Sequence, residues 1–202
     1  MDYYKYMDKK LSKLKTSIRK AFARKKAVMK FDETNIIRNS KELYKELDKM
    51  NTEVYLEIGN AIYHEIYPES KKKLDKKWLL LILAGYDPVT KYVYTHEIER
   101  KKARFYEALM STGATSKEFQ KGFDLWWTQT AQYGITITDS AVVEAYKDMG
   151  IKYLKWNTEK DNKVCEKCKA RDGKLYPIDN LPSKEHYHCR CYWTKGDKDE
   201  RD

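Results

Sequence analysis

The chain has 202 residues, 41 % of them apolar and 36 % charged, with a net charge of +10. That length fits one or two domains with a real core, and the longest apolar run, Trp78 to Ala84, is too short to span a bilayer. Eight glycines and four prolines are few for this length, which points to long helices with few turns and excludes Pro/Gly-rich low-complexity structure.

The charge is concentrated at the start. Residues 1–30 hold eleven Lys/Arg against Asp2 and Asp8, so this stretch carries +9 and the rest of the chain only +1. Leu11, Leu14, Ile18 and Phe22 recur at helical spacing within it. The expectation is a basic amphipathic arm that forms fully on a partner: a nucleic-acid backbone, an acidic protein surface or an anionic membrane. Lys9, Lys10, Lys13, Lys15, Arg19, Lys20, Arg24, Lys25 and Lys26 are its candidate contact residues. A solvated terminus without a partner is the plain alternative. Charges recur through these residues, unlike a secretory signal, so the expected compartment is the cell interior, where thiols stay reduced.

Glu33 to Tyr67 keeps one helical period, with Asp32 or Thr34 as a cap and Pro68 as a stop. Unbroken, it is a rod of about 50 Å, with Gly59 as a place to bend. Such a rod needs other long helices or neighbouring subunits to cover it, so a homo-oligomer is one expectation. A second helix is expected over residues 71–84, ending at Gly85, and Asp87-Pro88 restarts the chain. A third runs from about His96 to Ser111. Thr115-Ser116-Lys117-Glu118 is a capping box opening a fourth helix that carries Phe119, Phe123, Trp126 and Trp127. The tryptophans read as core or subunit contact ahead of ligand contact. Thr138 or Asp139 caps a fifth, which Gly150 ends.

Beyond Gly150 the period changes. Ile151, Tyr153, Leu154 and Trp156 alternate as a strand. Asp172-Gly173 is a turn before Leu175-Tyr176, and Cys191-Tyr192-Trp193 reads as a closing strand. Residues 194–202 are charged and expected to be disordered.

The chemistry lies in this last part. All four cysteines fall within 27 residues, as Cys165-x-x-Cys168, a gap of seventeen, then His186-x-x-Cys189-x-Cys191, with His188 interleaved. Two thiolates two residues apart can bite one ion, and a second bite downstream completes a tetrahedral zinc site. Cys165 and Cys168 anchor it; His186, Cys189 and Cys191 compete for the remaining places. Alternate residues of an extended strand point to opposite faces, so Cys189 and Cys191 reach one ion together only if the chain bends. Metal-free packed thiols and two disulfides are the alternatives.

Other chemistry is missing. There is no glycine-rich phosphate loop. His96-Glu97 lacks the second histidine of a zinc-protease helix. His64-Glu65 lacks the downstream Pro-Cys-x-x-Cys of a zinc deaminase. Asp161 and Asp172 read as turn formers. A closed Cys/His site has no open coordination position, so the expectation is a protein that is not an enzyme.

The stretch Trp156-Asn157-Thr158, Asp161, Cys165-x-x-Cys168, Asp172-Gly173, Pro182 and His186-Tyr187-His188-Cys189-Arg190-Cys191 resembles the C-terminal domain of phage Mu F-like minor head proteins. The family signature ends in His-Pro-Asn-Cys-Arg-Cys, so Tyr187 replaces its proline and His188 its asparagine. The helix ending at Gly150 and, less specifically, Asp87-Pro88-Val89-Thr90 extend the likeness to residues 85–193. Charge, periodicity and the cysteine cluster, with this resemblance, point to a mainly α protein with long N-terminal helices and a small C-terminal α+β, zinc-knuckle-like module. The chain then divides into a basic arm (1–30), a long-helix region (31–112), a Mu F-like domain (113–193) and a charged tail (194–202). The resemblance implies a virion protein made in the bacterial cytoplasm and held inside the capsid near the portal, with the portal and major capsid proteins as partners; the basic arm is then expected to meet DNA. The competing expectation is a zinc-knuckle nucleic-acid-binding regulator that never enters virions.

Overall fold

The computed structural model describes residues 2–30, 32–87, 91–159, 162–187 and 189–196. Pro88, Val89, Thr90, Asp161, His188 and residues 197–202, named above, lie outside the described residues. The fold is mainly α. Helices α1 (Tyr3–Val28), α2 (Glu33–Ile66), α3 (Lys76–Ala84), α4 (Tyr94–Thr112) and α5 (Ser116–Asp148) precede a small module of β3 (Tyr153–Asn157), the short helix α6 (Glu166–Lys169), β4 (Leu175–Pro177) and β5 (Tyr192–Lys195). Strands β1 (Tyr86–Asp87) and β2 (Tyr92–Val93) form a small antiparallel ladder between α3 and α4.

Local chemistry sets the helix starts. The side chains of Asp2, Asp32, Asp75 and Thr115 each accept a hydrogen bond from a backbone N–H three residues on, satisfying donors that a helix cannot pair internally. Pro68 follows the end of α2, and Gly113 (φ +82°) and Gly150 (φ +74°) follow α4 and α5.

The residues expected to form a partner-dependent arm are core. Met7, Leu11, Leu14, Ile18, Ala21 and Phe22 of α1 are buried, and the helix packs along both α2 and α5. Close approach is possible because Gly134 of α5 lies under Leu11: a Cβ there would sit 2.7 Å from Leu11 Cδ1. At Gly122 a Cβ would lie 2.5 Å from the ring of Phe105, within an edge-to-face cluster of Phe22, Phe105, Phe119 and Phe123.

The 34-residue α2 is unbroken. The helix runs through Gly59 without a break. Gly59 admits α3, since a Cβ there would meet the Trp78 ring at 3.1 Å. Helices α1, α4 and α5 of the same chain cover α2, so its length needs no neighbouring subunit. A buried polar link ties the helices together: Asn51 Nδ2 donates to Thr130 Oγ1 (3.0 Å) and Tyr94 Oη (3.1 Å), and the Tyr55 hydroxyl donates to the Thr130 carbonyl (2.8 Å).

Two helix boundaries differ from expectation. Helix α3 begins at Lys76, not at residue 71, because Asn60 holds Leu74 in extended form through both its backbone N–H (2.9 Å) and its carbonyl (2.8 Å). The expected fourth and fifth helices are one helix, α5. Neither Thr138 nor Asp139 caps anything: the Thr138 hydroxyl donates to the Gly134 carbonyl one turn back (2.9 Å), and Asp139 serves the site described below. Of the tryptophan pair, Trp126 is core, while Trp127 is half-buried beneath Lys15.

The C-terminal sheet has strand order β4-β3-β5, all antiparallel, with Trp156 opposite Trp193. These two rings meet edge to face at 4.9 Å. Strand β5 packs on α5, so the module is seated on the helical body. Thr194 and Lys195, expected in a disordered tail, belong to β5, and the Gly196 N–H donates to the Tyr153 carbonyl at 3.0 Å.

Candidate metal centre and basic face

Each half of the cysteine cluster is shaped by its own backbone. Cys165 is the N-cap of α6 and Cys168 lies inside that helix, so the turn brings both sulfurs to one side. The Asp172-Gly173 turn (Gly173 φ +77°) closes the loop, with Asp172 Oδ1 accepting from the Thr158 N–H at 2.8 Å. The second half, residues 189–191, precedes β5 and is not strand. That removes the alternation expected to separate Cys189 from Cys191, and both reach Cys168.

The ligand atoms form two groups that share Cys168. Cys165, Cys168 and His186 make one; Cys168, Cys189 and Cys191 make the other; within each, the donor atoms lie within 4.8 Å of one another. All four cysteines are free thiols, three of them buried, so the alternative of two disulfides is not what the structure holds. The Cys168 and Cys189 sulfurs are 3.8 Å apart. A tetrahedron with metal–sulfur bonds of about 2.3 Å has an edge of about 3.8 Å, so this sulfur pair is spaced as one edge of such a site. His186 Nδ1 lies 2.9 Å from the Tyr187 carbonyl; with its proton there, Nε2 carries the lone pair that a metal takes. His186, Cys189, Cys191 and Cys168 also line a cavity of about 180 Å³ with Val164.

The thiols divide into two kinds. Hydrogen bonds from Cys191, then the nearby Lys184 ammonium, bring Cys189 down to about 5 against its burial. Burial opposes ionisation of Cys165, but the Cys168 N–H and thiol and His186 outweigh it and lower its value. Burial, with Cys165 next to it, raises Cys168 to about 12. The bond to Cys189, then burial, raises Cys191. In both halves the N–H of the second cysteine serves the sulfur of the first. In each half the lowered thiol holds its neighbour protonated, and a divalent cation would let all of them ionise together.

A second layer fixes this centre to the helices. Lys184 donates to the Cys191 carbonyl and to Tyr4 Oη, and pairs with Asp139 at 3.4 Å. The Tyr4 hydroxyl is 2.5 Å from Asp139 Oδ1 and 2.9 Å from the Cys191 carbonyl. The Lys184 ammonium also lies over the Trp156 ring at 5.3 Å. Burial raises the Asp139 carboxyl in spite of Lys184 and Tyr4, and burial and Asp139 together hold the Tyr4 phenol protonated. Tyr4, Asp139 and Lys184 thus connect α1, α5 and the sulfur cluster. Sequence reasoning missed all three, because nothing in their spacing links positions 135 and 180 residues apart.

The basic candidates of α1 do not form one surface. Lys10, Arg24 and Lys25 pair with Glu57, Glu46 and Glu42 of α2. Lys15 and Arg19 lie over the rings of Trp127 (5.0 Å) and Phe123 (4.9 Å), and Lys26 donates to Ser116 Oγ at 2.5 Å. Lys9, Lys13 and Lys20 are exposed without an ion-pair partner among the described residues, and Lys5, which was not among the candidates, joins them on the same helical face. The stripe from Lys5 to Lys20 is about 22 Å long at 1.5 Å per residue.

Among the described residues, no helix is long and apolar enough to cross a membrane. Residues 124–194 match the sequence model of a family described as Phage Mu protein F like protein. The match bears out the resemblance over most of α5, the sheet and the whole cysteine cluster, and it begins later than the expected residue 85, leaving the Asp87 segment outside. No curated protein and no solved structure matches the chain.

Proposed function

We propose that this chain is a minor head protein of a tailed bacteriophage, a structural component of the virion that acts in head assembly at the portal and the capsid interior. One observation carries the reading: the segment that matches the phage family coincides with a sulfur-rich module seated on α5. In this reading a zinc ion, held by Cys168 with Cys165, His186, Cys189 and Cys191 as the competing partners, supplies a fixed centre for a module with only three short strands. The role is structural and not enzymatic, since a shell filled by cysteine and histidine offers no place for substrate or water. The portal and major capsid proteins are the proposed partners. The Lys5, Lys9, Lys13 and Lys20 stripe supports a nonspecific contact with packaged DNA.

Composition of purified particles tests the reading. The chain is expected in virions at a fixed ratio to the portal protein. Its absence from particles, together with strong preference for one DNA sequence in a binding titration, overturns the proposal in favour of an intracellular regulator.

A further inference from the structure

Seven large hydrophobic side chains are exposed among the described residues, and three of them follow closely in the chain: Leu80 (50 % exposed) and Leu81 (67 %) on α3 and Tyr86 (63 %) on β1. The ladder that pairs Tyr86 with Val93 and Asp87 with Tyr92 turns the two tyrosines to opposite faces, and Tyr92 lies under the Arg100 guanidinium, so Tyr86 alone extends the ridge. Helix α3 spends Leu79 and Leu83 on the core. Leu80 and Leu81 are therefore surplus to folding, and an exposed apolar cluster of this kind marks a contact surface. The flank is cationic. Lys71, Lys73, Lys76 and Lys77 are exposed and have no ion-pair partner among the described residues, whereas Lys72 is held by Glu144 and Asp148. On the Ile82 side of α3, Tyr86 and Ile82 share a cavity of about 390 Å³ with Val143 and Leu181, with Glu144 and Lys147 at its lining and neither Leu80 nor Leu81.

We propose that this face is a docking surface for an acidic segment of a partner protein whose apolar anchor side chain enters the Ile82–Tyr86 cavity while Leu80 and Leu81 are covered. Charge decides the kind of partner. Four free lysines around an apolar ridge repel a second copy of the same face and attract carboxylates. Shape decides between protein and lipid. A bilayer surface covers a ridge and leaves the adjoining cavity unfilled, whereas a protein segment fills it with an anchor of the kind that dominates interface energetics. The surface is separate from the lysine stripe of α1 and adjoins the layer behind the sulfur centre, since Asp139 and Lys184 also line the cavity. The inference rests on the head-protein reading only for where the partner is sought.

The test uses the full chain against the portal protein and, separately, the major capsid protein of the same phage, by calorimetry over a range of salt. The wild-type chain is expected to bind one of them, more weakly as salt rises. Leu80→Ser/Leu81→Ser and Lys73→Glu/Lys76→Glu/Lys77→Glu are each expected to weaken that binding by about tenfold or more. All these side chains are exposed, so both variants are expected to melt as the parent does; Lys5→Gln/Lys9→Gln/Lys13→Gln on α1 is expected to bind as wild type. Binding by both α3 variants within about twofold of wild type overturns the surface and leaves the head-protein reading standing. Wild-type binding to neither protein overturns both. Cosedimentation with phosphatidylglycerol vesicles that the leucine variant loses assigns the face to lipid, and a dimer that the same variant dissolves assigns it to self-association; either result overturns the proposal.

Discussion

Replacing Ile18 with alanine separates a helix that belongs to the core from one that waits for a partner. Ile18 is fully buried, on a helix that packs against both α2 and α5. Truncating such a side chain removes its transfer free energy and leaves a cavity that rigid neighbours only partly fill, at a cost of about 2–5 kcal/mol. At about 2–4 °C per kcal/mol for a chain of this size, a mid-range loss of about 3 kcal/mol lowers the melting temperature by about 6–12 °C. Lys20→Gln, two residues on and facing solvent, is expected to change stability by less than about 0.5 kcal/mol. Thermal melts of both variants, followed by far-ultraviolet circular dichroism without nucleic acid or other partner, provide the comparison. A single cooperative transition displaced only in Ile18→Ala is the expected result. If Ile18→Ala melts within about 1 °C of the parent, or if part of the helical signal is lost in a separate early transition, α1 is not part of the core and the packing argument fails.

Tyr4→Phe removes the hydroxyl shared by Asp139 and the Cys191 carbonyl, and a lost outer contact of this kind weakens metal affinity by about tenfold or more; chelator competition measures it, and unchanged affinity would show that the Tyr4 link is incidental. Burial works to raise Asp148, but Lys72 and the Tyr63 hydroxyl outweigh it and hold the carboxyl below its ordinary value. Its contribution is therefore present above the unfolded-state value of about 3.9 and lost as pH falls through the lower folded-state value. Asp148→Asn should lower the melting temperature at neutral pH and converge with the parent in acid; a deficit independent of pH contradicts the pairing. Lys9→Gln/Lys13→Gln/Lys20→Gln should reduce the slope of log affinity against log salt for duplex DNA by about 2–3. Lys10→Gln/Arg24→Gln/Lys25→Gln should reduce it less, because α2 carboxylates already hold those cations; equal effects would mean that the ion pairs open on binding.

Much of this architecture was legible in the residues. Period, caps and breakers located α2, α4 and the strands of the C-terminal sheet, and cysteine spacing located the sulfur-rich module. The failures have physical causes. An apolar stripe at Leu11, Leu14, Ile18 and Phe22 says that a helix has something to bury and not whether the cover is its own chain, so abundant lysines made core look like a binding arm. The carboxylates that neutralise Lys10, Arg24 and Lys25 lie 17 to 47 residues away, beyond the reach of local pattern. Thr138-Asp139 has the chemistry of a helix cap, yet a helix running through it is stable because packing on both sides outweighs a local preference and Asp139 finds Tyr4 and Lys184 instead. Asn60 clamping Leu74 is likewise invisible in one dimension, and it costs α3 its expected first turn.

X-ray absorption at the zinc edge, on the full chain purified without added metal and dialysed, tests the central claim most directly. The account predicts one zinc per chain with a first shell dominated by sulfur at about 2.3 Å, lost in Cys168→Ser because that thiol belongs to both donor groups. A chain that retains no zinc, or a zinc surrounded only by oxygen and nitrogen, would contradict it.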